Sequence, residues 1–148
     1  MVESLPAFVE SLTPHTFHHK VANSNRPALV YFYTPCKSTQ KNMCVSYDYF
    51  PLSIYVGCGH CQHFAPVFDD VALELRHLLL TAKVDCERFG NLCAHARIRA
   101  YPTVRFFPGD DDEDSVGVEI TNRSPENIIR VVEEKLHART QAIRHDEL

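Results

Sequence analysis

Two kinds of hydrophobic pattern alternate along the chain, one typical of buried strands and the other of amphipathic helices. Residues 28–33 (ALVYFY) are a continuous apolar run of β-forming residues, which predicts a strand buried on both faces in the middle of a sheet. A long helix is predicted further along the chain, and Pro66 is predicted to bend it because proline has no N–H to donate. The apolar residues that recur at helical spacing in this helix are Phe64, Phe68, Val71, Leu75 and Leu78.

The remaining elements complete an alternating α/β pattern. The predicted order of elements is β-α-β-α-β-α-β-β-α. The apolar stripe of the last helix ends before residue 139, so a domain of residues 1–138 and a flexible tail of residues 139–148 are predicted. Strands are predicted at residues 8–12, 82–86, 103–107 and 116–120, and helices after Thr13, at 87–96 and from Ser124.

Length and charge narrow the possible functions. A chain of 148 residues suits one domain that buries its own core. The formal net charge of −4 argues against binding to nucleic acid or to an anionic membrane surface. No apolar run approaches the ~20 residues that a transmembrane helix needs. Six cysteines favour an oxidising compartment.

The main chemical motif is CGHC, formed by Cys58, Gly59, His60 and Cys61 at the start of the long helix. Two cysteines at this spacing are typical of a redox pair or of half a zinc site, and a preceding strand with a following helix favours the redox pair. The N–H groups and dipole of a helix N-terminus stabilise a thiolate, and His60 adds positive character, so Cys58 is predicted to be the nucleophile. Cys61, one turn deeper, is predicted to resolve the mixed disulfide.

No metal site and no cofactor are predicted. A zinc site needs four ligands at finger spacing, and the remaining cysteines and scattered histidines do not supply them. The acidic run at residues 110–114 is better explained as a solvated hairpin tip than as a calcium site. Three histidines of the first helix lack a carboxylate or cysteine partner nearby, and these are His15, His18 and His19.

Most of the chain outside residues 36–57 resembles the thioredoxin-like domains of the protein disulfide isomerase family. The similar segments are VYFYTP at residues 30–35, CGHCQHFAP at 58–66, AKVDC at 82–86 and IRAYPTVRFFPG at 98–109. Within the family, the chain resembles in particular the C-terminal thioredoxin-like domain of the J-domain-containing ER disulfide reductases. The resemblance implies a thioredoxin-like fold, with a mixed central sheet flanked by helices. It also implies reduction, isomerisation or oxidation of disulfides in protein substrates.

The resemblance further implies roles for residues outside the CGHC motif. Pro102 matches the family's cis-proline, which with Tyr101 faces the cysteine pair and offers backbone to an extended substrate. Lys83 and Arg123 match basic residues thought to tune the resolving thiol, and each is also compatible with a solvated basic side chain. Tyr31 departs from the family, which has a buried Glu or Asp there as proton acceptor for the resolving cysteine. Slower turnover is therefore expected.

A second cysteine pair, Cys86 and Cys93, spans the end of a predicted strand and the following helix. A disulfide can close the seven-residue separation, and a cysteine pair of the related domains matches these two positions. The pair is predicted to be a structural disulfide. The alternative is two buried thiols.

Residues 36–57 form an irregular insertion before the CGHC motif, with neither helical nor strand periodicity. The related domains have one tryptophan in this place, so 21 of the 22 residues are extra, and the chain contains no tryptophan. Reverse translation allows a splice donor at Cys36 and an acceptor at Gly57, whose joining restores a tryptophan codon in frame. A retained or mis-predicted intron is therefore expected, and genomic DNA without these splice sequences would exclude it. The alternative is a genuine lid over the active site.

Residues 145–148 (HDEL) match an ER-retention signal, whereas the first residues show no signal-peptide pattern. The chain is therefore expected to act in the ER lumen and to be a fragment or an incomplete gene product. Expected partners are protein substrates with thiols or disulfides, an HDEL-type retention receptor and ER chaperones. The alternative function is a redox-impaired thioredoxin-like module that holds client or partner polypeptides, which is motivated by Tyr31 and by the insertion before Cys58.

Overall fold

The computed structural model of the chain describes residues 8–35, 59–110 and 115–146, and for residues 59–62 it describes the backbone alone. Cys58, the insertion at 36–57, the acidic positions 111–114 and the last two residues of the HDEL motif lie outside the described residues. Within these ranges, the predicted order of elements is confirmed. The elements are β1 (Glu10–Leu12), α1 (Pro14–Phe17, continued by a π-helical segment at His18–Ala22), β2 (Ala28–Tyr33), α2 (Gly59–Leu75), β3 (Leu80–Asp85), α3 (Gly90–His95), β4 (Thr103–Phe107), β5 (Val118–Glu119) and α4 (Pro125–Asp146).

The described strands form one five-stranded sheet in the order β1-β3-β2-β4-β5. Strands β1, β3 and β2 run parallel, whereas β4 is antiparallel to both β2 and β5. Strand β2 lies at the centre, where its apolar residues are covered on both faces of the sheet. The predicted central strand and the predicted mixed sheet are therefore confirmed.

Alternate residues of β2 contribute to two hydrophobic cores, one on each face of the sheet. On the first face, Leu29 and Tyr31 pack with Phe68 of α2 and Ile128 of α4, so these two long helices cover the same side. The shorter helices α1 and α3 cover the opposite face. Buried residues on that opposite face include Phe17, Val30, Phe32, Val84 and Cys93.

The long helices differ from their predicted lengths. Helix α2 contains Pro66 and ends at Leu75, and Leu78 is half exposed beyond it, so the prediction that Leu78 belongs to the buried helical stripe is wrong. Helix α4 extends to Asp146 rather than ending near residue 138. Arg139 of α4 donates hydrogen bonds to the carbonyl oxygens of Asn25 at 2.5 Å and Gly109 at 3.4 Å. These contacts hold the second half of the helix against two loops, a tertiary effect that the apolar stripe did not reveal.

Cys86 and Cys93 form a disulfide whose Cα atoms lie 5.7 Å apart. Cys86 directly follows β3 and Cys93 lies in α3, and both side chains are buried. The bond therefore joins α3 to the sheet, and the predicted structural disulfide is present.

Arg105 of β4 is a buried cation that ties three chain segments together. Its guanidinium donates hydrogen bonds to the carbonyl oxygens of Ala96, Arg97 and Val116, the last at 2.9 Å. Arg97 has a φ of 61°, which is unfavourable for a residue other than glycine. Burial lowers the pKa of Arg105, and Glu119 opposite it on β5 counteracts this effect. Arg105 therefore holds the turn after α3 beside the strand that carries it.

Replacing Arg105 by Met is expected to lower the free energy of unfolding by about 2 kcal/mol, because one buried and two partly buried hydrogen bonds from a charged donor to carbonyl oxygens are lost. Urea denaturation measures this change. Arg130→Met is the matched control, since Arg130 makes an exposed ion pair with Glu134, and a change of about 0.5 kcal/mol or less is expected there. Equal losses for the two variants would contradict the role assigned to Arg105.

Candidate functional site

The carboxyl end of β2 and the amino end of β4 lie side by side at one edge of the sheet. Phe32 pairs with Thr103 across these antiparallel strands. Pro102 immediately precedes Thr103 and therefore lies at this edge, close to the point where the chain leaves β2. This edge is the candidate site.

Helix α2 begins directly after Cys58, and positions 60 and 61 lie in its first turn. Cys58 and the side chains of His60 and Cys61 lie outside the described parts of the chain. One turn further on, the buried ring of Phe64 lies 5.2 Å from the ring of Tyr31 on β2. Because residues three apart share a helix face, position 61 belongs to the face of α2 that is turned toward β2. The helix thus brings the second cysteine position over the strand that carries Tyr31.

The peptide bond between Tyr101 and Pro102 is cis, as the resemblance implied. Pro102 is buried, whereas Tyr101 remains exposed at the surface. The Pro102 carbonyl oxygen accepts a hydrogen bond from Arg123 Nη1 at 2.9 Å, and Thr103 Oγ1 donates to the Ala100 carbonyl oxygen at 2.6 Å. Arg123 therefore joins the segment before α4 to the cis-proline loop, and its effect on the Cys61 thiol stays a prediction.

Tyr31 occupies the position where the family has a buried acid. Its side chain is 3% exposed, and its ring lies 5.2 Å from each of the rings of Tyr33, Phe64 and Phe68. Burial raises the pKa of Tyr31 above its ordinary value, and Tyr33 and Asp69 raise it further. The phenol is therefore neutral at physiological pH and cannot act as a carboxylate would. Since the folded pKa is raised, the stabilising contribution of this neutral group is present below the ordinary value of 10.0 and is lost at higher pH.

Lys83 of β3 pairs in register with Tyr31 of β2. Its Nζ lies 5.8 Å from the centre of the Tyr33 ring, a cation–π distance. Among the described residues, no carboxylate lies within ion-pair distance of Lys83. Tyr33 and Asp85 are not among the site residues predicted from the sequence, although strand alternation places Asp85 on the same face as Lys83 and is the signal that identifies it.

The histidines of the first helix contact one another. The rings of His15 and His19 lie 4.5 Å apart, and those of His18 and His19 lie 5.4 Å apart.

In the part of the chain that the structure describes, no group of three or more His, Cys, Asp or Glu side chains is arranged to hold a metal ion. Over the same ranges, none of the helices combines the length and the apolar character needed to cross a membrane.

The fold and the cis-proline site are those of a known class of protein. The sequence matches the thioredoxin family over residues 55–134, which is more than half of the chain. This range extends from just before the CGHC motif into α4 and includes the cis-proline. The chain therefore belongs to the thioredoxin family.

Two curated proteins and one solved structure show which members of the family the chain is similar to. The chain is 33% identical over 147 residues to DnaJ homolog subfamily C member 10 of Homo sapiens, covering 97% of this chain and 16% of that protein. It is 27% identical over 116 residues to protein disulfide-isomerase tigA of Aspergillus niger, covering 76% of this chain and 26% of that protein. Among solved structures, the Trx4 domain of ERdj5 is similar, with a TM-score of 0.69 and 28% identity over 90% of this chain and 99% of that domain.

The chain spans 14–16% of the length of the curated DnaJ homologs that it matches. It therefore corresponds in size to a single thioredoxin domain of these longer proteins. Together the family match and these relatives support thiol–disulfide oxidoreductase as the general class of activity.

Proposed function

We propose that this chain is a thiol–disulfide oxidoreductase that acts on protein substrates, with Cys58 as the attacking and Cys61 as the resolving cysteine. The observations that support the proposal are the start of α2 at Gly59, the residue that follows Cys58 in the sequence, and the cis Tyr101–Pro102 bond before β4, beside the carboxyl end of β2. Unpaired N–H groups at the start of α2 favour a thiolate there. A cis-proline beside the pair leaves backbone groups available to an extended substrate.

The reaction consists of two thiol–disulfide exchanges. The Cys58 thiolate attacks one sulfur of a substrate disulfide, forms a mixed disulfide and releases the first substrate thiolate. The Cys61 thiolate then attacks the Cys58 sulfur and releases the second substrate thiolate. The substrate gains two electrons and two protons in total, and the protein is left with a Cys58–Cys61 disulfide. The reverse sequence oxidises a dithiol substrate.

His60 favours the reduced form of the pair, which makes the disulfide more oxidising than a thioredoxin-type pair. This potential favours oxidase and isomerase activity, and it is also compatible with reduction of substrate disulfides by the same pair. The HDEL sequence at residues 145–148 and the resemblance to the protein disulfide isomerase family support action in the ER lumen. A retention receptor and ER chaperones are the partners proposed on the same grounds.

A binding module without redox turnover is the second candidate function. Its supporting observation is Tyr31, a neutral buried phenol at the position of the family's acid. Reduction of insulin by dithiothreitol, with and without the chain, separates the two candidates. Acceleration supports the oxidoreductase, whereas an unchanged rate from a folded chain supports the binding module.

A further inference from the structure

A pocket of about 160 Å³ lies at the carboxyl ends of β1 and β3. Its polar lining includes Ser11, Thr13, Tyr33, Lys83, Asp85 and Arg88. Lys83 is in register with Tyr31, whose side chain packs with α2, so the Lys83 side of the pocket lies on the α2 face of the sheet. Leu12 and Phe89 also line the pocket and belong to the core on the opposite face, so the pocket lies at the end of the sheet. In the order of the strands, β2 separates β1 and β3, which line the pocket, from β4 and the cis-proline that precedes it.

Two cations line this pocket without an ion-pair partner among the described residues. Lys83 is half buried, and a partly desolvated ammonium group is stabilised by an anion nearby. The guanidinium of Arg88 lies over the ring of Phe89 at 5.3 Å and forms no ion pair within the described ranges. Tyr31, which is in register with Lys83, stays neutral because its pKa is raised, and it therefore supplies no counter-charge.

The acidic residue of the pocket is already engaged by its own backbone. Asp85 Oδ1 accepts hydrogen bonds from the backbone N–H groups of Glu87 at 3.0 Å and Arg88 at 3.1 Å. The formal charge of the lining is therefore +1, from two cations and one carboxylate. One monoanionic carboxylate neutralises this charge, whereas a phosphate dianion would leave a net charge of −1 beside Asp85.

We propose that the pocket binds a carboxylate of an acidic thiol or disulfide substrate. This inference rests on the proposed function, which identifies the bound molecule as a substrate. The pocket and the start of α2 lie at the same end of the sheet, where the parallel strands have their carboxyl ends. Lys83 and Arg88 supply the positive charge, and Ser11 supplies a hydroxyl donor at the rim. Substrates with a carboxylate near the reacting cysteine are therefore preferred over neutral ones.

Titration with S-methylglutathione tests binding without redox chemistry, because this probe has two carboxylates and no free thiol. Amide chemical shifts of the ¹⁵N-labelled chain are expected to change around Ser11, Lys83 and Arg88. Arg88→Met is expected to weaken binding about fivefold, as for loss of one exposed charged contact. The control Arg144→Met removes the same charge from an exposed position near the end of α4 and is expected to leave binding unchanged.

Shift changes elsewhere on the protein, equal binding of the dimethyl ester of the probe, or equal weakening by both Met variants would overturn the proposal. Reduction of oxidised glutathione provides a second measurement, in which Arg88→Met is expected to raise KM with kcat unchanged. An intact insulin-reduction activity without binding in the pocket would overturn this inference alone. Binding in the pocket without any insulin reduction would instead count against the proposed oxidoreductase and leave the anion site standing.

Discussion

Replacing Cys58 by Ser is expected to reduce the insulin-reduction rate to the background without protein, a loss of roughly a thousandfold if the wild-type chain turns over like other dithiol catalysts. The reason is that a serine hydroxyl remains protonated at neutral pH and cannot form a mixed disulfide. Cys58 is the residue before the first residue of α2, and the dipole at a helix N-terminus favours the thiolate that the proposed reaction needs. The turbidity of reduced insulin, followed over time, measures the rate.

Cys44→Ser is the control for this experiment, because it removes a thiol from the insertion and leaves the CGHC motif intact. This control is expected to retain at least the wild-type rate. If Cys58→Ser retained activity while Cys44→Ser lost it, the nucleophile would have been assigned to the wrong cysteine.

Replacing Tyr31 by Glu is expected to accelerate resolution of the mixed disulfide about tenfold, less than the roughly hundredfold that a well-positioned general base contributes. The raised pKa of Tyr31 keeps the phenol protonated at neutral pH, so it cannot take the proton of the Cys61 thiol. A carboxylate at this position can accept that proton, since position 61 lies on the face of α2 turned toward β2. Stopped-flow measurement of the second exchange step gives the rate.

Tyr31→Phe is the matched variant, since it keeps the ring and supplies no proton acceptor. Its rate is expected to stay near that of the wild type, and the rate of Tyr31→Glu is expected to level off at a lower pH than either. Equal rates for the Glu and Phe variants, both folded by circular dichroism, would show that proton transfer at Cys61 does not depend on this position.

The fold was largely predictable because its strands are marked by local patterns. Residues 28–33 are apolar throughout and rich in β-forming residues, and a short run of this kind is typical of a strand covered on both faces. The ends of helices depended on contacts distant in sequence. Arg139 contacts Asn25, more than a hundred residues away, in the part of α4 that lacks an apolar stripe.

The site was predictable where a short motif carries the chemistry. The disulfide between Cys86 and Cys93 and the cis bond before Pro102 were anticipated, the first from spacing together with resemblance and the second from resemblance alone. The hydrogen bond of Arg123 to Pro102 could not be predicted from the sequence, because residues 21 positions apart meet only in the folded chain. The pocket beside Lys83 was missed for the same reason, since its lining comes from β1, β2, β3 and the turn after β3.

Trapping with Cys61→Ala tests the central claim most directly. Without the resolving thiol, mixed disulfides between Cys58 and substrates should accumulate, and mass spectrometry of the cross-linked peptides should identify Cys58 as the protein partner. The double variant Cys58→Ser, Cys61→Ala should capture nothing through that position. A folded Cys61→Ala protein that forms no mixed disulfide in an oxidising lumen would contradict the oxidoreductase and favour the binding module.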